Sequence, residues 1–286
     1  MKKSIVCITL IFLIIIPVGV QAENIVMNSI GKMGGYTLYD ITFNDGVYTG
    51  RSELVFNIDI LIEEIKYVNY SNKRSFDYSL ELKSDYLFKN SGLLVDSDWE
   101  NDSLNIYSET KTDLDLFHLD FKLKSKSLTD NLDFRIIAGY EWQNYYFVGY
   151  GTEQINYTTD PTTIVNFSDY RIPYLAFSLG SKNMKEKSYR LTIGYSSLVV
   201  ANDIDHHLLR NKWSKSNTEG EAYFTEVNMD FKIRENQYYV INAEYINIET
   251  SGTQTQYLED GRIIENIPTN VNSIQTLLSF GYKLCF

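Results

Sequence analysis

Hydrophobic and polar residues alternate with a period of two along almost the whole chain, and no amphipathic stripe of period 3.6 competes with that rhythm. Successive side chains of a strand point to opposite faces, so each apolar stripe marks one face of a half-buried strand. Phe76, Tyr78, Leu80, Leu82, Tyr86 and Phe88 form one stripe. Phe117, Leu119, Phe121 and Leu123 form another, with Asp120, Lys122 and Lys124 between them. Tyr189, Leu191, Ile193 and Tyr195 repeat the pattern, and the chain closes on Ile274, Thr276, Leu278, Phe280, Tyr282, Leu284 and Phe286.

Turn-forming clusters divide these stripes into ten strands, expected near 30–43, 50–69, 75–90, 106–126, 132–148, 166–181, 187–201, 219–234, 238–253 and 271–286. The connections alternate in length. Short polar turns fall near Ser71–Arg74, Thr129–Asn131, Lys182–Glu186 and Glu235–Gln237, and longer polar segments near Asn90–Asn105, Gly149–Asn166, Asn202–Thr218 and Gln254–Asn270. Short on one side and long on the other predicts an all-β, ten-stranded antiparallel up-and-down transmembrane barrel. Several strands exceed the roughly 9–11 residues that cross lipid, so the barrel is expected to extend above the outer membrane as a walled rim. A soluble β-sandwich explains the alternation equally well, but not the terminal Phe stripe combined with the loop rhythm.

Composition agrees. The chain holds 23 Tyr and 15 Phe but only 4 Pro. Residues 1–22 read as a cleaved export signal: Lys2 and Lys3 start it, Ile5 to Val18 is apolar, and Val20-Gln21-Ala22 is the small-residue cleavage site. Residues 23–286 then form a single barrel domain. The formal charge of the whole chain is −11, and loss of Lys2 and Lys3 takes it to −13. That balance argues against nucleic acid as a partner and suits cationic peptides. Cys7 leaves with the signal, so Cys285 has no internal disulfide partner.

Two clusters carry candidate chemistry: Asp96-Ser97-Asp98, and Asp203-Ile204-Asp205-His206-His207 about a hundred positions later. In extended chain each can aim alternate side chains at one point. Asp205 and His207 make an acid–imidazole dyad, and Asp96 and Asp98 a paired-carboxylate site. Facing each other across a gap, they are the parts needed to hold and deprotonate water. An Asp-x-Asp by itself is more often a turn element. The histidine distribution sharpens the case, because the chain has three histidines and two of them follow Asp203 and Asp205. His118, inside an expected strand, reads as an inward polar residue. One conflict remains: Tyr189 to Tyr195 should face lipid, yet their parity continues into Asp203, Asp205 and His207. A bulge or reversal after about Ser197 is therefore required, and Gly92 is the matching break in the third strand.

Val95-Asp96-Ser97-Asp98-Trp99 resembles the Val-Asp-x-Asp-Trp segment of the omptin family of outer-membrane proteases, and Asp203–His207 its Asp-x-Asp-x-His segment. Ala138-Gly139-Tyr140 with Tyr145 and Phe147, Ile172-Pro173-Tyr174, and Gly281-Tyr282-Lys283-Leu284-Cys285-Phe286 are similar to its fifth, sixth and closing strands. The resemblance implies a surface endopeptidase with catalytic Asp96, Asp98, Asp205 and His207. It also implies that Asp203 lies in the pocket for a basic substrate side chain. One carboxyl of the Asp96/Asp98 pair is expected to hold its proton near neutrality.

The family's second pocket acid falls near Gly35 or Tyr36, which should loosen the preference for Arg or Lys. Positions where the family holds lipopolysaccharide phosphates with Arg correspond to about Asn144 and Asp169, with Arg171 shifted toward a neighbouring Lys. Lipopolysaccharide dependence is therefore not carried over, and no cofactor is expected. The expected partners are cationic peptide or protein substrates, host-defence peptides among them, and outer-membrane lipid. A non-enzymatic adhesin or receptor, a metal site and a passive porin remain the alternatives.

Overall fold

The computed structural model describes residues 22–286 apart from 45–48, 72–73, 86–90, 130–131, 155–156, 182–185 and 209–210. Nearly all of the expected export signal, residues 1–21, lies outside the described residues, and Ala22 belongs to a strand. The strands are β1 (Ala22–Asn44), β2 (Thr49–Ser71), β3 (Phe76–Asp85), β4 (Ser91–Glu100), β5 (Ser103–Ser125), β6 (Leu132–Gln154), β7 (Tyr157–Ser181), β8 (Lys187–His207), β9 (Lys212–Arg234), β10 (Gln237–Tyr257) and β11 (Ile263–Cys285). Each pairs antiparallel with its sequence neighbour, β3 and β4 excepted, and β1 closes on β11 from Ile25↔Cys285 to Ile41↔Thr269. β3 and β4 are the lower and upper parts of one stave, each pairing with β2 and β5. Eleven strands thus make a ring of ten staves, as the alternation predicts, and closure leaves no exposed edge.

Near the short turns the barrel is inside out relative to a soluble protein. Leu175, Phe177, Ile193, Leu278 and Phe280 point outward and are 55–63% exposed. The inward positions there hold Lys66, Glu81, Lys83, Lys122 and Glu226, joined in a buried ion-pair network. An apolar outer band over a polar interior is the pattern of a barrel solvated by lipid. Above that network Phe56, Ile58, Ile60, Ile62, Leu116, Tyr145, Phe147 and Ile172 fill the lumen, all at most 4% exposed. Each contributes about 1.5–3 kcal/mol by leaving water. A passive-pore reading has no place for this plug.

The parity conflict resolves at two register shifts. From Ser196↔Ala222 to Val199↔Gly220, β8 advances three residues while β9 advances two. The extra residue inverts the faces: Tyr195 is 42% exposed, whereas Val199, Ala201, Asp203 and Asp205 are buried inside. Pro173, with no N–H for the ladder, lies in the interrupted β7–β8 register between Arg171 and Leu175. Ser196 Oγ donates to the Pro173 carbonyl at 2.5 Å and accepts the Leu198 N–H at 3.3 Å, which holds the bulge together. The second shift lies between β3 and β4. From Ile62↔Asp85 to Phe56↔Leu94, β2 advances six residues and the β3/β4 stave nine. Three extra residues again exchange the faces, so Glu81 and Lys83 point inward below, and Leu94 and Asp96 do so above. Gly92 itself sits within β4, opposite Thr112.

The long connections read from the sequence are mostly strand. β4, β6, β7, β8, β9, β10 and β11 all continue through residues expected to be loop, including Asp96–Asp98 and Asp203–His207. Above the apolar band the outer wall carries polar residues, so the period-two contrast fades although the ladder persists.

Candidate active site

Both acidic clusters therefore sit on inner walls rather than in loops. On β4, Leu94 is buried in the plug at 2% exposure, and the same face continues upward through Asp96 and Asp98. A two-residue hairpin ends this strand: Glu100 pairs with Ser103, and Asn101 and Asp102 take φ of 47° and 65°. Asn and Asp tolerate that left-handed conformation better than most residues. On β8, Val199 and Ala201 anchor the inner face in the plug, and Asp203, Asp205 and His207 rise above them. His206, on the other parity, sits between Val165 and Trp213 in the ladder.

Asp96, Asp98, Asp205 and His207 line one cleft of ≈240 Å³. His207 Nε2 lies 2.7 Å from Asp205 Oδ2, a short charge-assisted contact. The other oxygen, Asp205 Oδ1, is buried without a hydrogen-bond partner. Burial is the largest influence on His207 and disfavours its charge. The Asp205 charge and hydrogen bond, with a further contribution from Asp96, outweigh it, and the imidazole pKa lies above its ordinary value of 6.5. Lys212, its ladder partner on β9, acts in the opposite sense. Among the described residues, the trio of acidic or imidazole ligand atoms lying within 4.8 Å of one another is Glu64, Glu81 and Glu244, in the lower network.

Asp203 does not line the cleft but sits one layer beneath Asp205, 7% exposed. Its Oδ1 accepts from Tyr39 Oη at 2.9 Å, Asn166 Nδ2 at 3.0 Å and Ser168 Oγ at 2.8 Å. Burial first, then the Asp205 charge, push its carboxyl up to about 7, against the pull of those three donors. Sequence reading missed this clamp because its members come from β1 and β7 with no spacing that links them. The β1 residue that reaches Asp203 is Tyr39, a neutral phenol. Also missed was Arg51, which pairs with Asp40 and Glu53 and lies over the Trp99 ring at 5.4 Å, on the cleft wall beside Asp98. His118 is buried against Tyr145 at a ring separation of 5.2 Å, with Nδ1 3.8 Å from Glu141, far below the cleft.

A closed barrel with a lipid-type outer band and a filled lumen, its upper end holding an acid–imidazole dyad across a cleft from a carboxylate pair, defines a membrane barrel with a candidate active site. The Omptin family model matches residues 52–286, and the chain belongs to that family. It is also similar to the crystal structure of the outer membrane protease OmpT from Escherichia coli. That match has a TM-score of 0.80 at 17% identity and covers 93% of this chain and 97% of that one. Weaker similarities are to the translocator domain of the autotransporter NalP from Neisseria meningitidis (TM-score 0.38, 8% identity, 96% and 94% coverage) and to OprG from Pseudomonas aeruginosa (0.37, 8%, 93% and 96%). No curated protein matches the sequence.

Proposed function

We propose that the chain is an outer-membrane endopeptidase that cleaves peptides or exposed protein loops with water activated between Asp96 and the Asp205–His207 dyad, the cleft facing the cell exterior. The observation that carries this reading is the 2.7 Å Asp205–His207 contact on one wall of a cleft whose opposite wall bears Asp96 and Asp98. With Nε2 engaged by Asp205, His207 Nδ1 is the nitrogen left to accept a proton. A water held by Asp96 gives that proton to Nδ1 as its oxygen attacks the peptide carbonyl carbon. Asp205 stabilises the imidazolium so formed. The tetrahedral oxyanion then collapses, the C–N bond breaks, and His207 returns the proton to the leaving amine. The products are a carboxylate and a free amine.

Cationic substrates fit the acidic chain and the position of Asp203 below the dyad. Because its three hydrogen-bond donors are neutral and its carboxyl titrates near 7, the preference for a basic side chain is pH-dependent and strengthens above neutrality. The reading is tested with purified, heat-modifiable barrel and a basic peptide. Loss of cleavage in Asp205→Ala and His207→Ala supports it. Undiminished cleavage in both, or no turnover alongside tight binding of a host ligand by wild type, favours an adhesin or receptor instead.

A further inference from the structure

A second cavity, of ≈70 Å³, lies inside the barrel at the short-turn end, below the apolar plug and remote from the cleft. Six basic side chains line it against two acidic ones, Glu226 and Asp230. Five of the six are held by carboxylates: Lys66 by Glu81 and Glu226, Lys122 by Asp120 and Glu226, Arg135 by Asp77 and Asp133, Arg190 by Asp133, and Lys283 by Asp230. The sixth, Lys124, is 7% exposed and has no ion pair or hydrogen bond with any described residue. Two more donors on the same wall lack partners. Arg190 Nε and Ser178 Oγ are both buried without a hydrogen bond to any described residue.

All three groups line the same cavity. Lys124 on β5 pairs with Ile137 on β6, Ser178 on β7 lies between Arg135 and Thr192, and Arg190 on β8 pairs with Gly180. Buried donors without acceptors are costly, and a buried cation without a counter-charge more so. Among the described residues the lining supplies donors, and its two carboxylates, Glu226 and Asp230, are already engaged by Lys66, Lys122 and Lys283. Water would serve the hydrogen bonds and leave the charge. The space also exceeds the roughly 10–15 Å³ that a single water needs.

We propose that this cavity binds a tetrahedral oxyanion of the phosphate class, held by Lys124 Nζ, Arg190 Nε and Ser178 Oγ, and that the anion ties β5, β7 and β8 together at the short-turn end. The ligand comes either as free phosphate or as the phosphate of an ester.

The full barrel in neutral detergent is titrated with inorganic phosphate against chloride at fixed ionic strength, following the unfolding midpoint and the ³¹P linewidth. Wild type is expected to show a saturable rise in midpoint with phosphate alone. Lys124→Met should weaken the apparent affinity at least tenfold and Ser178→Ala severalfold, with peptide cleavage unchanged in both. Should Lys124→Met not fold, Lys124→Gln and Ser178→Ala carry the comparison. Glycerol phosphate run in parallel separates the sources: equal affinity points to an ester, weaker affinity to the free ion. No saturable phosphate effect beyond chloride, or equal affinity in wild type and the Lys124 variants, overturns the proposal.

Discussion

The hydroxyl of Tyr39 on β1 donates to Asp203 Oδ1 on β8 across 2.9 Å, spanning the barrel interior just beneath the dyad. Tyr39 Oη also lies 2.7 Å from Ser168 Oγ, which binds the same carboxylate oxygen. The Asp203 carboxylate is thus held by neutral groups from β1 and β7. Removing a donor to the charged form should raise the carboxyl pKa further. Tyr39→Phe is therefore expected to move the onset of basic-side-chain preference to higher pH. The preference is measured as the ratio of kcat/KM for paired Lys and Gln peptides from pH 6 to 9. An unchanged onset would show that the Tyr39 hydroxyl does not govern Asp203.

Asp203 also links pH to stability. Its carboxyl is raised from 3.8 to about 7, so the folded state holds the proton more tightly than the unfolded state. The associated stability is full below pH 3.8 and is lost as pH climbs through about 7. Asn can accept the same three hydrogen bonds without the charge. Asp203→Asn should leave stability near pH 3.5 little altered and raise it at pH 8 by on the order of 4 kcal/mol. Denaturant midpoints at the two pH values check this, and a loss of stability at pH 8 would contradict it.

In the proposed mechanism His207 gives the activity its pH dependence. It serves as base only when neutral, and its pKa lies above 6.5. Cleavage should rise with pH through a midpoint on the alkaline side of that value. Lys212 opposes the protonated imidazole, so Lys212→Met should move the midpoint upward. A downward move would mean that the Lys212 charge does not act on His207. The stability carried by the imidazolium pair runs with the raised pKa: present below 6.5, lost as pH rises through the folded value.

The bulge at Ser196–Val199 makes a sharper structural demand. Deleting Leu198 restores the uninterrupted register and turns one half of β8 to the wrong face. A folded deletion variant should lack measurable cleavage, because Asp203, Asp205 and His207 would point away from the cleft. Retained cleavage in such a variant would refute the inversion.

Much of this was legible in the sequence. The barrel and its ten staves follow from period-two stripes such as Tyr189–Tyr195, whose exposed residues face lipid. The parity conflict between those residues and Asp203 even locates the bulge near Ser197. What stayed hidden lies where the apolar contrast ends. Above the band both wall faces are polar, so the strands through Asp96–Asp98 and Asp203–His207 look like loops. The Tyr39–Ser168–Asn166 clamp joins strands distant in sequence, and nothing local announces it.

The central claim is that Asp96 and His207 act on the same water from opposite walls. A double-mutant cycle on kcat, with Asp96→Asn, His207→Ala and the pair, tests it most directly. Each single change is expected to cost about 10²–10⁴-fold, the usual scale for a lost general base. The double variant should then fall little further, since groups acting as a unit are not additive. Losses that multiply, or a single variant with wild-type kcat, would contradict the shared-water mechanism.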